Sequence, residues 1–227
     1  MSSKVGRNLS EVICERVLGN ENFAVLLRHS VREPIRYDVN HERLHLTEEG
    51  RRMAFEFGGQ LPLGKSIRLF YSPVPRCRET AERIHEGIVS HGGTGKLMGV
   101  RDFLGVPFID FQSILDQVKP IGFSTFTRRW LNSQLDVKII DDPRKAFRKM
   151  INGIVSTLTE NDRDSIDLYV SHDWNLLLIK EFFLGIKHED AGLPDYLDGV
   201  ILIYKEGTIT AVYEGVKNTI DWNHCTI

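Results

Sequence analysis

Three short apolar runs, each broken off at once by polar and charged residues, constrain this chain more than any other feature. The runs are "FAVLL" (Phe23 to Leu27), "IRLFY" (Ile67 to Tyr71) and "IDLYV" (Ile166 to Val170). Runs of this length and composition suit strands buried on both faces. The residues that follow them are "RHS", "SPVPR" and "SHD". Between the runs lie helical patterns: "LTEEGRRMAFEFGGQL", "PRCRETAERIHEGIV" from Pro75 and "DPRKAFRKMINGIVSTL" from Asp142. The alternation predicts an α/β fold with a mostly parallel central sheet flanked by helices. It also puts the three polar clusters at the carboxyl edge of the sheet, where open α/β folds bind their ligands.

A chain of 227 residues can bury a sizeable core, and residues 1–227 are expected to form one domain. Near the end, "GVILIYKEGTITAVYEG" reads as two strands joined at Lys205 to Gly207, a hairpin on the sheet edge. Between residues 92 and 141 the regularity fails, with "GGTG", "GVPFID" and "KPIGF" interrupting short helical pieces; this stretch is expected to form a small cap over the carboxyl edge.

Net charge is -2 and the sequence pI is about 6.5, so no global basic field draws nucleic acid or an anionic membrane, and any anion site must be local. Cys14, Cys77 and Cys225 are odd in number and widely spaced, which implies neither a disulfide framework nor a zinc site. The first twenty-two residues contain no uninterrupted apolar segment of signal-peptide type, and no later run has the length of a membrane span. A cytoplasmic protein is the expectation.

If the three runs are parallel neighbours, their following residues converge: Arg28, His29, Ser30 and Arg32; Ser72, Arg76 and Thr80; Ser171, His172 and Asp173. Several arginines with two histidines are what phosphoryl transfer needs. Guanidinium forks bind phosphate oxygens bidentately and stabilise the charge of the transition state. A neutral imidazole can attack phosphorus, and neighbouring cations keep it neutral. A carboxylic acid such as Asp173 can protonate the leaving oxygen.

The motifs resemble those of the histidine phosphatase superfamily, which includes phosphoglycerate mutases, acid phosphatases and phytases. "LLRHS" is similar to its L-x-R-H-G element, "LTEEG" to L-T-x-x-G, "SPVPRCRETAE" to S-P-x-x-R-x-x-x-T-A-E, and "VSHD" to its second-histidine motif. The resemblance implies the phosphoglycerate mutase-like fold. It also implies a phosphorylated nucleophile at His29, and a phosphate pocket of Arg28, Arg76 and His172. "RHSVREP" and "HD" resemble the acid phosphatase and phytase branch, adding Arg32 to the pocket and Asp173 as the acid; Asp102 is the alternative acid. Ser30 stands where the family usually has Gly.

The activity so implied is metal-independent, cofactor-free hydrolysis of phosphate monoesters, on a phosphorylated small molecule or a phosphoprotein. A phosphomutase is the alternative within the fold, and a non-catalytic phosphate-binding module the alternative outside catalysis. Arg128 and Arg129 are candidates for a second anionic group of the substrate. Arg78 is expected to pair with Glu82 four residues on. His41 and His45 have i, i+4 spacing but no third ligand nearby, and are expected in a solvated loop.

Overall fold

The computed structural model describes residues 7–17, 23–35, 41–159 and 165–224. Its strands are β1 (Phe23–Arg28), β2 (Ser66–Tyr71), β3 (Thr94–Val100), β4 (Ser165–Ser171), β5 (Gly199–Lys205), β6 (Thr208–Tyr213) and β7 (Val216–Asp221). Its helices are α1 (Arg7–Val17), α2 (Glu48–Gly59), α3 (Pro75–Ser90), α4 (Phe111–Ile121), α5 (Phe123–Leu131), α6 (Pro143–Thr159), α7 (Asp173–Phe182) and α8 (His188–Ala191). Cys225 lies outside the described residues.

The seven strands form one sheet in the order β3-β2-β4-β1-β5-β6-β7. The first four are mutually parallel and the last three join antiparallel, so the sheet is mixed rather than mostly parallel. The cause lies in the return from α7. The chain comes back through residues 192–198 at the carboxyl edge, where Gly199 enters beside Leu27, and β5 must then run against β1. The predicted hairpin forms, with Glu206 and Gly207 both at positive φ, as a two-residue turn matching strand twist requires. It is not the edge, because β7 adds outside β6.

Residues alternate across β1. Val25 and Leu27 pack with Ala81, Ile84 and Leu168 beneath α2 and α3, whereas Ala24 and Leu26 pack with Phe147, Ile151, Leu177 and Tyr169 beneath α6 and α7. Burial on both faces explains why these strands read as unbroken apolar runs. Part of the stretch 92–141, expected as a cap, belongs to the sheet: Thr94–Val100 is its outer strand, and α4 and α5 follow it.

Candidate active site

Register brings the three polar clusters to one level. Arg28 lies beside Ser171 and Tyr71 beside Val170, so His29, Ser72 and His172 leave the sheet together. The amide of His29 donates to the Ser171 carbonyl (3.0 Å) and that of Ser72 to the Val170 carbonyl (3.0 Å). α3 begins at Pro75, whose missing N–H costs nothing at a first helical position. α7 begins at Asp173. Both helices therefore aim their positive ends at the site.

His29 is 2% exposed. Its Nδ1 lies 2.8 Å from the Ser30 carbonyl, so this nitrogen carries the proton and Nε2 keeps its lone pair. Arg76 donates from Nε to that Nε2 at 3.1 Å, from Nη1 to the His41 carbonyl at 2.8 Å, and lies 3.2 Å from His172 Nδ1 through Nη2. His172 Nε2 in turn meets the Ser72 hydroxyl at 2.9 Å. The two imidazoles stand edge to face with centroids 5.5 Å apart. Burial first, then the Arg76 guanidinium, holds both well below the usual histidine range.

Arg28 pairs through Nη2 with Asp173 Oδ2 at 2.9 Å and donates from Nη1 to the Pro194 carbonyl. Its guanidinium lies 4.1 Å above the Tyr196 ring. Asp173 is the first residue of α7 rather than its N-cap, which is His172. The other Asp173 oxygen accepts from the Trp174 amide at 3.0 Å. Arg32 lines the same cavity and donates to the Glu33 carbonyl.

Ser30 fits its position without left-handed backbone, since it is absent from the positive-φ residues. Its amide donates to Thr80 Oγ1 (3.0 Å) and its hydroxyl to the Gly50 carbonyl (2.8 Å). Gly50 belongs to "LTEEG", where Thr47 caps α2, and a Cβ on Gly50 would sit 1.9 Å from the Val31 carbonyl oxygen. The motif thus has a mechanical role: a glycine lets the start of α2 touch the loop after β1, and Ser30 and Thr80 bind that loop to α2 and α3.

These residues enclose a cavity of about 300 Å³, lined by Arg28, His29, Arg32, Arg76, His172 and Asp173, with an apolar wall opposite. A larger cavity, about 840 Å³, lies between α1 and the β5–β6 strands. Its described lining includes Glu11, Glu15, Asp195, Asp198 and Glu214 and no cation, which repels rather than binds phosphate.

Three sequence candidates fall away from the cavity. Asp102 is exposed in a single 3₁₀ turn and does not line it. Arg128 is bound to Glu181 (2.9 Å) and Glu189 (2.5 Å) beside His188. Those three residues could hold a metal ion by their spacing, but the Arg128 guanidinium already provides the cation among them. Arg129 is exposed and outside the cavity lining. Arg78 pairs with Glu82 at 2.7 Å, as i, i+4 spacing predicts.

Sequence reasoning missed two residues. His41 is not solvated: it is 7% exposed, lines the cavity, stacks on Phe111 at 3.8 Å and has a buried Nε2 without a hydrogen-bond partner. Burial and the Arg76 charge lower its pKa to about 4. Its partner by spacing, His45, instead meets the Glu79 carboxylate. Tyr196 sits in "GLPDYLDG", which carries no periodic signal, and it reaches Arg28 only through the fold.

The histidines have a consequence for stability. His29, His172 and His41 have folded pKa values below the unfolded value of about 6.5. The unfolded chain therefore binds protons that the folded chain refuses, and stability present above pH 6.5 is lost as pH falls toward the folded values. Each histidine contributes up to about 1.4 kcal/mol per pH unit in that window. The thermal midpoint should fall between pH 7 and pH 5, and fall less in His172→Gln; a midpoint constant over that range would refute the coupling.

Solved structures share the architecture. YhfR of Bacillus stearothermophilus aligns with TM-score 0.66 at 18% identity, over 86% of this chain and 97% of that one. A phosphoglycerate mutase from Bacillus anthracis aligns with TM-score 0.62 at 16% identity, over 87% and 95%. A mycobacterial glucosyl-3-phosphoglycerate phosphatase, solved with inorganic phosphate, aligns with TM-score 0.56 at 15% identity, over 89% and 97%. No family model and no curated protein matches the chain. The chain has the α/β fold of this phosphoglycerate mutase and its structural neighbours, and no described helix is long and apolar enough to cross a membrane.

Proposed function

We propose that this protein is a phosphomonoesterase that passes the phosphoryl group of a monoester to Nε2 of His29 and then to water. The observation that carries this reading is the state of His29. Its Nδ1 is tied to the Ser30 carbonyl, so the lone pair of Nε2 lies in a cationic cavity, steered by Arg76 at 3.1 Å. On binding, the substrate phosphate takes Arg28 from Asp173 and its monoanion gives the carboxylate a proton; in the first step the P–N bond then forms as the ester P–O bond breaks, and the leaving oxygen takes that proton from Asp173. In the second, water attacks phosphorus, Asp173 takes its proton, and the P–N bond breaks to release phosphate. Arg28, Arg32 and Arg76 carry the phosphate charge with His172 as a neutral donor or acceptor. Arg32 and the Asp173 that follows His172 fit the acid phosphatase pattern. Hydrolysis is preferred to mutase exchange because, among the described residues, the cavity wall away from the arginines has no cation to retain a second phosphorylated or carboxylated group.

Incubation with labelled p-nitrophenyl phosphate should give an acid-labile phosphoenzyme, formed on a His29 that burial and the Arg76 charge hold well below the usual histidine range. Chelators should leave its formation unchanged, since guanidinium groups supply the charge. Absence of the phosphoenzyme would sink the reading in favour of a binding module.

Arg76→Ala should lower kcat/KM by about 10² to 10³-fold, the cost of removing one donor from comparable oxyanion sites. The guanidinium orients both imidazoles as well as substrate, so kcat itself should fall. A rise in KM at constant kcat would assign Arg76 to ground-state binding alone.

A further inference from the structure

We propose that the leaving group accepted by this site is apolar: the enzyme's substrates are phosphate monoesters of alkyl or aryl alcohols, not of sugars, polyols or hydroxy acids. The inference rests on the phosphatase reading and concerns the far wall of its cavity. Phe111, Ile114, Leu115 and Val118 lie at i, i+3, i+4 and i+7 on α4, the spacing of an amphipathic stripe. Such a stripe ordinarily packs against a core. Ile114 and Val118 do reach the core, but all four also line the cavity and only Ile114 is fully buried. Trp174 and Leu193 close the other sides. A ligand with a hydrocarbon portion would complete the burial that α4 leaves unfinished.

Charge argues the same way. Among the described residues the cavity's cations are Arg28, Arg32 and Arg76, which come from the end of β1, the loop after it and the start of α3, on the phosphate side. Lys119, Arg128 and Arg129, the basic residues of α4 and α5, do not line it. A carboxylate or second phosphate on the leaving group would meet apolar side chains and the Asp173 carboxylate. His41 offers one unpartnered nitrogen there, so a sugar or polyol would lose water from several hydroxyls and regain a partner for few of them.

The test is a chain-length series: kcat/KM for ethyl, butyl and hexyl phosphate and for glycerol phosphate. Alkyl alcohols differ little in acidity, so the gradient reports contact rather than chemistry. Transfer of each methylene into the cavity should raise kcat/KM about fourfold, and hexyl phosphate should exceed both ethyl and glycerol phosphate by about two orders of magnitude. Leu115→Gln should cut the hexyl-to-ethyl ratio about tenfold. A flat series, faster glycerol phosphate, or an unchanged ratio in Leu115→Gln overturns the inference while leaving the phosphatase reading intact. Calorimetry with ethylphosphonate and hexylphosphonate separates the opposite failure. If neither ester is hydrolysed yet hexylphosphonate binds the more tightly by a similar factor, the apolar subsite stands and the phosphatase reading falls. Equal binding of the two overturns the subsite.

Discussion

His29→Ala should abolish both phosphoenzyme formation and phosphate release while the protein still folds. No other described imidazole combines an Nδ1 tethered to a carbonyl with an unprotonated Nε2 that faces the arginines and accepts from Arg76, and His172 is engaged through both nitrogens with Arg76 and Ser72. Loss of the nucleophile removes the covalent route outright. The fold should bear the change at modest cost. The Ser30 carbonyl loses its partner, a penalty of about 1–2 kcal/mol if water does not replace it. At about 2–4 °C per kcal/mol for a chain of this size, the thermal midpoint should drop by no more than about 8 °C. Turnover retained in His29→Ala would end the phosphohistidine mechanism. A larger loss of stability would mean that His29 is held for structure, and His29→Gln would then be the variant to compare.

What the chain reveals before folding is uneven, and the unevenness has physical causes. β1, β2 and β4 are legible because burial on both faces demands consecutive apolar residues, and the polar residues that end them announce an edge. β3 is illegible. It is an outer strand with exposed residues, interrupted by Gly95 and Gly99, and its pairing with β2 slips in register between Leu69 and Phe70. β7 is also exposed, yet a signal was present: the dipeptide Glu214-Gly215 repeats the Glu206-Gly207 turn, both residues again at positive φ. Sheet direction was hidden because nothing in "GLPDYLDG" says at which edge of the sheet the chain returns.

The site divides along similar lines. His29, Arg76, His172 and Asp173 are legible because each sits within a residue or two of a strand end or helix start, where local geometry fixes direction. His41 and Tyr196 depend on contacts with Phe111 and Arg28 from distant segments. Arg128 misled for the converse reason. Basic residues on a helix read as free cations until the fold supplies Glu181 and Glu189.

Asp173→Asn should discriminate between substrates by their leaving groups. An alkyl alkoxide needs its proton in the transition state, whereas p-nitrophenolate departs almost unaided, and general acid catalysis contributes about 10² to 10⁴-fold where it is needed. The variant should therefore lose about that factor on hexyl phosphate, yet phosphorylate His29 from p-nitrophenyl phosphate at close to the original rate. Release of phosphate from that intermediate should then be slow, giving a burst of p-nitrophenol followed by a low steady rate, because the base that activates water is missing too. Asparagine is the informative replacement. It keeps an oxygen to accept from the Trp174 amide at the start of α7, and it removes the charge opposite Arg28, which leaves that guanidinium freer to bind phosphate. A merely structural Asp173 would slow both substrates alike or neither. Either outcome would move the acid to another group, and the exposed Asp102, outside the cavity lining, could serve only if its 3₁₀ turn moved inward.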